Sequence, residues 1–164
     1  MGKNHVYLGR FKRKNLVYYV TTVTYKRERI FLNSFAAEFL ITNVAYHKFI
    51  LDYKLYAYVV MPDHFHLIIQ PVGEWDISKI MNYIKGTFSR KYNKVYNRKG
   101  HLWQKGFFER VCRSKRNIIS AINYVHMNPV RIGLVNSPEE YPYSSFWQIY
   151  GHQRSSDFID KILL

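Results

Sequence analysis

The chain is poor in acidic residues, in cysteine and in long apolar runs, and each shortage removes a class of function. Its 164 residues carry 11 Asp and Glu against 25 Lys and Arg, a formal net charge of +14. A field of that sign favours nucleic acid or an anionic membrane as partner. No apolar run approaches the roughly 20 residues of a spanning helix. The opening stretch MGKNHVYLGRFKRKN lacks the apolar block of a secretory leader and the Ser or Thr near position 6 of a myristoylation signal. The membrane is therefore the weaker partner, and a cytoplasmic location is expected. Cys112 stands alone, which excludes a disulfide framework and a Cys-based zinc site and suits a reducing interior. No repeat, low-complexity tract or inter-domain linker is evident. No G-x-x-x-x-G-K-S/T loop cradles a nucleotide. Position 68 is Ile, so the H-x-H-x-H of histidine-triad hydrolases is missing. A second H-x-S/T copy, as in two-histidine phosphoesterases, is also missing. The K/R-G-F/Y-G/A-F-V-x-F/Y pattern of an RNA-binding sheet is not found.

What is present describes one globular domain, 1–164, with a core at about 15–134 and a C-terminal extension at 135–164. Hydrophobic residues make up 48% and aromatics 18%, with 15 Tyr and 11 Phe. Rings interleaved with cations suit single strands, because cations track phosphates while rings stack on bases. Most such rings belong to a core all the same.

Residues 17–25 (VYYVTTVTY) are β-branched and aromatic and read as a strand. Phe35 to Phe49 places Phe35, Phe39, Leu40, Val44 and Phe49 at helical spacing. Residues 54–60 and 64–70 form two strands joined by Met61-Pro62-Asp63, a break short enough for an antiparallel pair. Asp76 or Ser78 caps a basic helix running to about Tyr96. A fourth strand is expected over Phe107–Arg113. Ser114 or Asn117 opens a last helix, and Pro129 predicts a kink or restart at Asn128. The order strand, helix, strand, strand, helix, strand, helix is the split β-α-β, ferredoxin-like arrangement. The fold class is thus α+β: a four-stranded antiparallel sheet, with a fifth strand allowed, helices packed on it, and an added C-terminal helix.

Side chains alternate along a strand, so His64 and His66 share one face, about 7 Å apart, while Phe65, Leu67 and Ile69 face a helical layer. Two such imidazoles can grip one cation, or simply sit at a sheet surface. A metal needs a third donor. Tyr124 and Asn128, four residues apart, share a helix face, and the amide oxygen of Asn128 suits Mg²⁺ or Mn²⁺. Asn before Pro is also a common cap or turn residue. A tyrosine is a competent nucleophile when a metal polarises the phosphate it attacks. Tyr83, Tyr92 and Tyr96, in the basic helix, rival Tyr124 on chemistry alone. His126 points to a different side of the helix from Tyr124 and, like His101, has no assigned part in catalysis.

The stretches YVVMPDHFHLIIQP, HLWQKGFFERVCRS and AINYVHMNPVRIGLV, in that order around a basic helix, resemble the single-tyrosine HUH transposases. The similarity is strongest to the REP-associated tyrosine transposases and their IS200-like relatives, and it spans roughly residues 15 to 147. The resemblance implies that His64, His66 and Asn128 hold a divalent metal ion, Mg²⁺ or Mn²⁺, and that Tyr124 is the nucleophile. Tyr124 would attack a phosphate of single-stranded DNA near a hairpin, forming a 5′-phosphotyrosine link and a free 3′-OH. A 3′-OH of another strand end would reverse the step, joining strands without ATP. Relatives are known both as homodimers with the tyrosine helix docked in trans and as monomers.

The span 85–116 has Glu109 as its sole acid. Lys85, Arg90, Lys91, Lys94, Arg98, Lys99, His101, Trp103, Arg110 and Arg113 are its candidate DNA contacts, with Trp103 either stacking on a base or closing the core, and other cations being solvated surface. Lys3, Arg10, Lys12, Arg13 and Lys14 could extend the track. About six neutralised phosphates would give a salt slope of roughly −4 for a single strand. The competing expectation is a hairpin-binding protein on the same fold, for DNA or RNA, whose catalysis is dispensable.

Overall fold

The computed structural model describes residues 15–151 and 158–162. The basic residues from Lys3 to Lys14 lie outside them. Strand β1 covers Val17–Val23, helix α1 Ser34–Leu51, strand β2 Tyr53–Met61, strand β3 His64–Pro71, helix α2 Ile77–Val95, strand β4 Phe108–Cys112, helix α3 Lys115–Arg131 and a short helix α4 Phe146–Tyr150. The sheet has four strands in the order β2-β3-β1-β4, with every neighbouring pair antiparallel. β3 therefore lies between β1 and β2, and β1 between β3 and β4. Each helical crossover spans a strand of opposite direction, which is the expected split β-α-β arrangement. In place of a fifth strand, one bridge joins Val59 to Ser144.

Alternation along the strands produces two buried layers. Val20, Leu55, Tyr58, Val60, Phe65, Leu67 and Ile69 face α1 and α2, where they meet Leu40, Val44, Ile80, Ile84 and Phe88. Val17, Tyr19, Ala57, Val59, Met61 and Ile68 face α3, where they meet Ala121, Ile122 and Val125. Thus β3 has helices on both sides, and His64 and His66 have the parity of the α3 side.

The helix starts are local chemistry. Asp76 accepts a hydrogen bond from Lys79 N at 2.9 Å, and Ser114 accepts one from Asn117 N at 3.2 Å, each relieving an unpaired first-turn N–H. Two expectations change. Helix α1 turns Ala36, Ala37, Leu40, Asn43, Val44 and His47 inward, whereas Phe35 is 76% and Phe49 71% exposed. Small residues let this helix approach α2 and the sheet, and an all-round apolar helix does not announce its inward side. Helix α3 also runs through Pro129 to Arg131 rather than restarting at Asn128. Pro129 removes one backbone donor close to the helix end. It is buried, and Ile132 N still donates to Asn128 O at 3.3 Å.

The C-terminal extension closes the outer edge of β2. Val60 N donates to Tyr143 O at 2.8 Å, Ser145 N to Tyr58 O at 3.0 Å and Asp160 N to Leu55 O at 2.8 Å. Tyr58 N donates to the Ser145 hydroxyl at 2.9 Å. An edge strand's unpaired groups are thereby satisfied within the chain.

Candidate active site

The turn at Pro62-Asp63 delivers β3 with both histidines on the α3 side, their ring centres 4.8 Å apart and their planes at 80°. His66 is 5% exposed. Its Nδ1 lies 2.9 Å from the Tyr19 hydroxyl and 2.8 Å from that of Thr21, both on the neighbouring β1. Either hydroxyl can accept the Nδ1 proton, which leaves a lone pair at Nε2. Nε2 is buried and has no hydrogen-bond partner. Burial first, and the neighbouring His64 second, push the His66 pKa down to about 3. The ring is therefore neutral at ordinary pH, the form that ligates metals. His64 Nδ1 lies 2.5 Å from Asp63 Oδ1, and Asp63 also takes Arg27 at 3.2 Å. Burial raises the Asp63 pKa, but His64 and Arg27 together outweigh it and hold the carboxyl below its usual range.

Helix α3 brings Tyr124 to this pair. Its ring meets His66 edge-on at 6.4 Å and Tyr19 edge-on at 6.0 Å. Tyr124 remains 43% exposed, so a large substrate can reach it. Asn128, one turn further on, is buried, and its Nδ2 donates to Tyr124 O at 3.1 Å. That bond turns the amide oxygen away from the helix carbonyl. Because α3 continues past it, Asn128 is not a terminal cap. Tyr19, Thr21, Phe108, Arg110, Ser120 and Tyr124 line an open cleft of about 480 Å³.

A divalent cation fits this donor set on one observation above all. A buried, neutral imidazole nitrogen without a partner is costly unless something occupies its lone pair. Among the described residues no three His, Cys, Asp or Glu side chains cluster, so a third protein donor must be of another type, such as an amide oxygen.

The basic candidates divide. Arg110 lies over the Tyr19 ring at 5.5 Å and Arg113 is exposed just beyond β4. Lys91 and Lys94 instead line an apolar groove with Phe35, Phe39, Val95 and Tyr96 between α1 and α2, across the sheet from Tyr124. Arg90 lies on α2 beside Lys79, Asn82 and Tyr83. Lys99 and His101 are exposed, His101 against Tyr25 at 6.1 Å. Three candidates are turned to the protein. Lys85 Nζ donates to the carbonyls of Gln104 and Gly106, and burial lowers its pKa. Arg98 pairs with Glu28 at 2.6 Å. Trp103 is 9% exposed, packs on Phe31, Phe65 and Phe88, and donates Nε1–H to Lys85 O at 3.0 Å. It closes the core, the second of its two readings.

The rival tyrosines Tyr83 and Tyr92 belong to α2 and Tyr96 caps its end, on the opposite layer from the histidines; Tyr92 is packed between Phe88 and Tyr96. His126 is buried and bonds the Ser145 hydroxyl at 2.8 Å through Nε2. Burial lowers its pKa to about 4. Sequence reasoning missed Tyr19, Thr21, Asp63 and Arg131. The guanidinium of Arg131 lies 4.7 Å from the centre of the Tyr124 ring. Its signal was the spacing of seven from Tyr124; that of Tyr19 and Thr21 was shared parity on one strand.

Residues 12–128 match the family described as IS200-like transposases. A Haemophilus influenzae chain named as a candidate REP-associated tyrosine transposase is 28% identical over 145 residues, covering 81% of each chain. The Escherichia coli REP-associated tyrosine transposase is 30% identical over 95 residues, 57% of this chain and 54% of that one. Among solved structures, a REP-associated tyrosine transposase bound to a REP hairpin aligns over 100% of both chains, with a TM-score of 0.76 and 21% identity. A candidate transposase of Deinococcus radiodurans aligns over 76% of this chain and 95% of its own, with a TM-score of 0.53 and 21% identity. At such identities these two likenesses describe the fold.

Proposed function

Because the chain belongs to the IS200-like transposase family, we propose that it nicks and rejoins single-stranded DNA beside a hairpin, with Tyr124 as nucleophile. The observation that carries this reading is the half-exposed Tyr124 ring 6.4 Å from His66, whose buried Nε2 has no partner. The hairpin is drawn from the solved relative, which holds a REP hairpin.

The Tyr124 oxygen attacks the phosphorus as the P–O3′ bond breaks. The phenol proton passes to water in the open cleft, and the departing 3′ oxygen takes one up. The product is a 5′-phosphotyrosine and a free 3′-OH. The covalent bond keeps the energy of the phosphodiester, so a 3′-OH from another end reverses the step without ATP. His64, His66 and Asn128 would hold Mg²⁺ or Mn²⁺, which when bound supplies charge neutralisation at the phosphate. Thr21 and Tyr19 hold His66 at Nδ1, and Asp63 holds His64, so both rings are oriented from behind. The whole chain, 1–164, acts as one such domain, in the cytoplasm where DNA is reached. Whether it works as a monomer or a homodimer follows from whether α3 serves its own sheet, as it does here, or a partner's.

The test is incubation of the protein with labelled single-stranded DNA carrying a hairpin, with Mg²⁺ or Mn²⁺. A covalent adduct that disappears with Tyr124→Phe and with chelation is expected. An adduct surviving Tyr124→Phe would move the nucleophile elsewhere. Tight hairpin binding with no adduct would leave a binding protein on this fold.

A further inference from the structure

Two cations stand over the rings of this site, and among the described residues no acid pairs with either. Arg131 lies over Tyr124 and Arg110 over Tyr19, at 4.7 and 5.5 Å from the ring centres. Other arginines are committed: Arg27 to Asp63 and Arg98 to Glu28. Among the described residues neither Arg110 nor Arg131 has a carboxylate partner, and both are exposed. A guanidinium over an aromatic ring is held by cation–π attraction, which leaves the N–H edge of its fork available to other partners. Such an edge is a two-pronged site for phosphate oxygens. Arg131 follows Tyr124 by seven residues, so two helical turns place both on one side of α3.

We propose that Arg131 is a further catalytic residue, whose guanidinium holds a non-bridging oxygen of the scissile phosphate beside the Tyr124 hydroxyl. This rests on the reading of Tyr124 as the nucleophile. The phosphodiester brings one negative charge. Attack by the tyrosine oxygen, after its proton has gone to water, brings a second while the 3′ oxygen departs with the electron pair of the broken bond. A cation already fixed at that position acts where the charge develops and needs no rearrangement to do so. Its placement on the nucleophile's own helix makes the two move as one body, however α3 shifts on the sheet. Several other cations cannot substitute: Lys85 and Arg98 are tied to the protein, and Lys91 and Lys94 lie on the other layer; Arg110 shares the cleft but stands over Tyr19, on a strand rather than on the helix of Tyr124.

The experiment has a cleavage arm and a binding arm. In the first, single-turnover adduct formation is measured for wild type, Arg131→Gln and Arg131→Lys on hairpin DNA with a stereodefined phosphorothioate at the cut. Arg131→Gln should slow the reaction by about 10²–10³-fold, with hairpin affinity within about threefold of wild type, and should change the preference for one sulfur stereoisomer. Arg131→Lys should restore part of the rate. In the second, the Tyr124→Phe protein is titrated with strands in which one phosphate at a time is a neutral methylphosphonate. One position should cost affinity with Arg131 present and cost nothing with Arg131→Gln. Should wild type form no adduct, the cleavage reading falls, while the binding arm still decides whether Arg131 holds a phosphate. A rate and stereochemical preference unchanged in Arg131→Gln, or no phosphate whose contribution depends on Arg131, overturns the proposal.

Discussion

The two sides of the sheet are built from the same strands and both bury apolar residues, but they differ in what else they carry. Toward α1 and α2 the strands present Leu55, Phe65, Leu67 and Ile69, and the facing helices answer with Leu40, Ile80, Ile84 and Phe88. Toward α3 the same strands present His64, His66, Tyr19 and Thr21, and the helix answers with Tyr124, His126 and Asn128. The first layer gains from burying apolar surface. The second carries buried nitrogens without partners, on His66 and His126, which cost stability. A strand of alternating parity lets one segment, HFHLIIQ, anchor a core and display a histidine pair at once. In this chain the two imidazoles are held from behind by Tyr19, Thr21 and Asp63.

The largest expected effects separate the two sides. His66→Ala should cut adduct formation by about a thousandfold or more, while urea midpoints move little, since a costly unpaired nitrogen goes with the ring. Phe88→Ala should do the reverse. It should cost about 3–5 kcal/mol of stability, and the protein that stays folded should cleave at a near-normal rate. If Phe88→Ala abolished cleavage below its melting temperature, the division between the layers would fail.

Acid should strike the α3 side. His66 and His126 titrate near 3 and 4 when folded because burial opposes their charge, against an ordinary value of 6.5. Below pH 6.5 the unfolded chain takes up protons that the folded one refuses. Stability is thus fully present above 6.5 and is lost as pH falls toward 4 and then 3. Each histidine contributes at most about 1.4 kcal/mol per pH unit in that window. Urea unfolding from pH 7 to 4.5 measures the slope, and His126→Gln should remove roughly half of the part due to this pair. A flat profile would mean that these rings are solvated.

Smaller effects sharpen where DNA runs. Replacing Arg110 and Arg113 by Ala should reduce the magnitude of the single-strand salt slope by about 1.4, at about 0.7 per lost phosphate contact. Replacing Lys91 and Lys94 should change it less, because α2 lies across the sheet from Tyr124. Equal changes would show the strand wrapping both layers. The smallest effect is Phe35→Ser, which should alter stability by less than about 0.5 kcal/mol because the ring is exposed.

That last case shows where the sequence stops being legible. Period-two alternation exposed β3 and its two histidines, and Asp76 and Ser114 announced their helices, because both signals are local. Spacing and resemblance pointed to Tyr124, and the structure brings its ring to 6.4 Å from that of His66. The inward side of α1 was not, since helical spacing in a helix apolar all round fits more than one face. The basic run from 85 to 116 read as one track, but folding splits it: Lys91 and Lys94 go to one layer, Arg110 and Arg113 to the other, and Lys85 and Arg98 to internal partners. Tyr19 and Thr21 meet His66 only through the register of β1 on β3, with Thr21 opposite His66. No single segment carries that register.

The closure of the β2 edge has a consequence for how the molecule is made. Ser145 bonds Tyr58 across 87 positions of sequence, and Asp160 reaches Leu55 across 105. At a synthesis rate of about 5–20 residues per second, roughly 4–17 s separate the emergence of β2 from that of Ser145. During that interval the strand has a free ladder along one border. Ribosome-bound chains ending before residue 141 are accordingly the species most exposed to mispairing with their neighbours. Production of this protein should depend on chaperone capacity far more than the finished fold does.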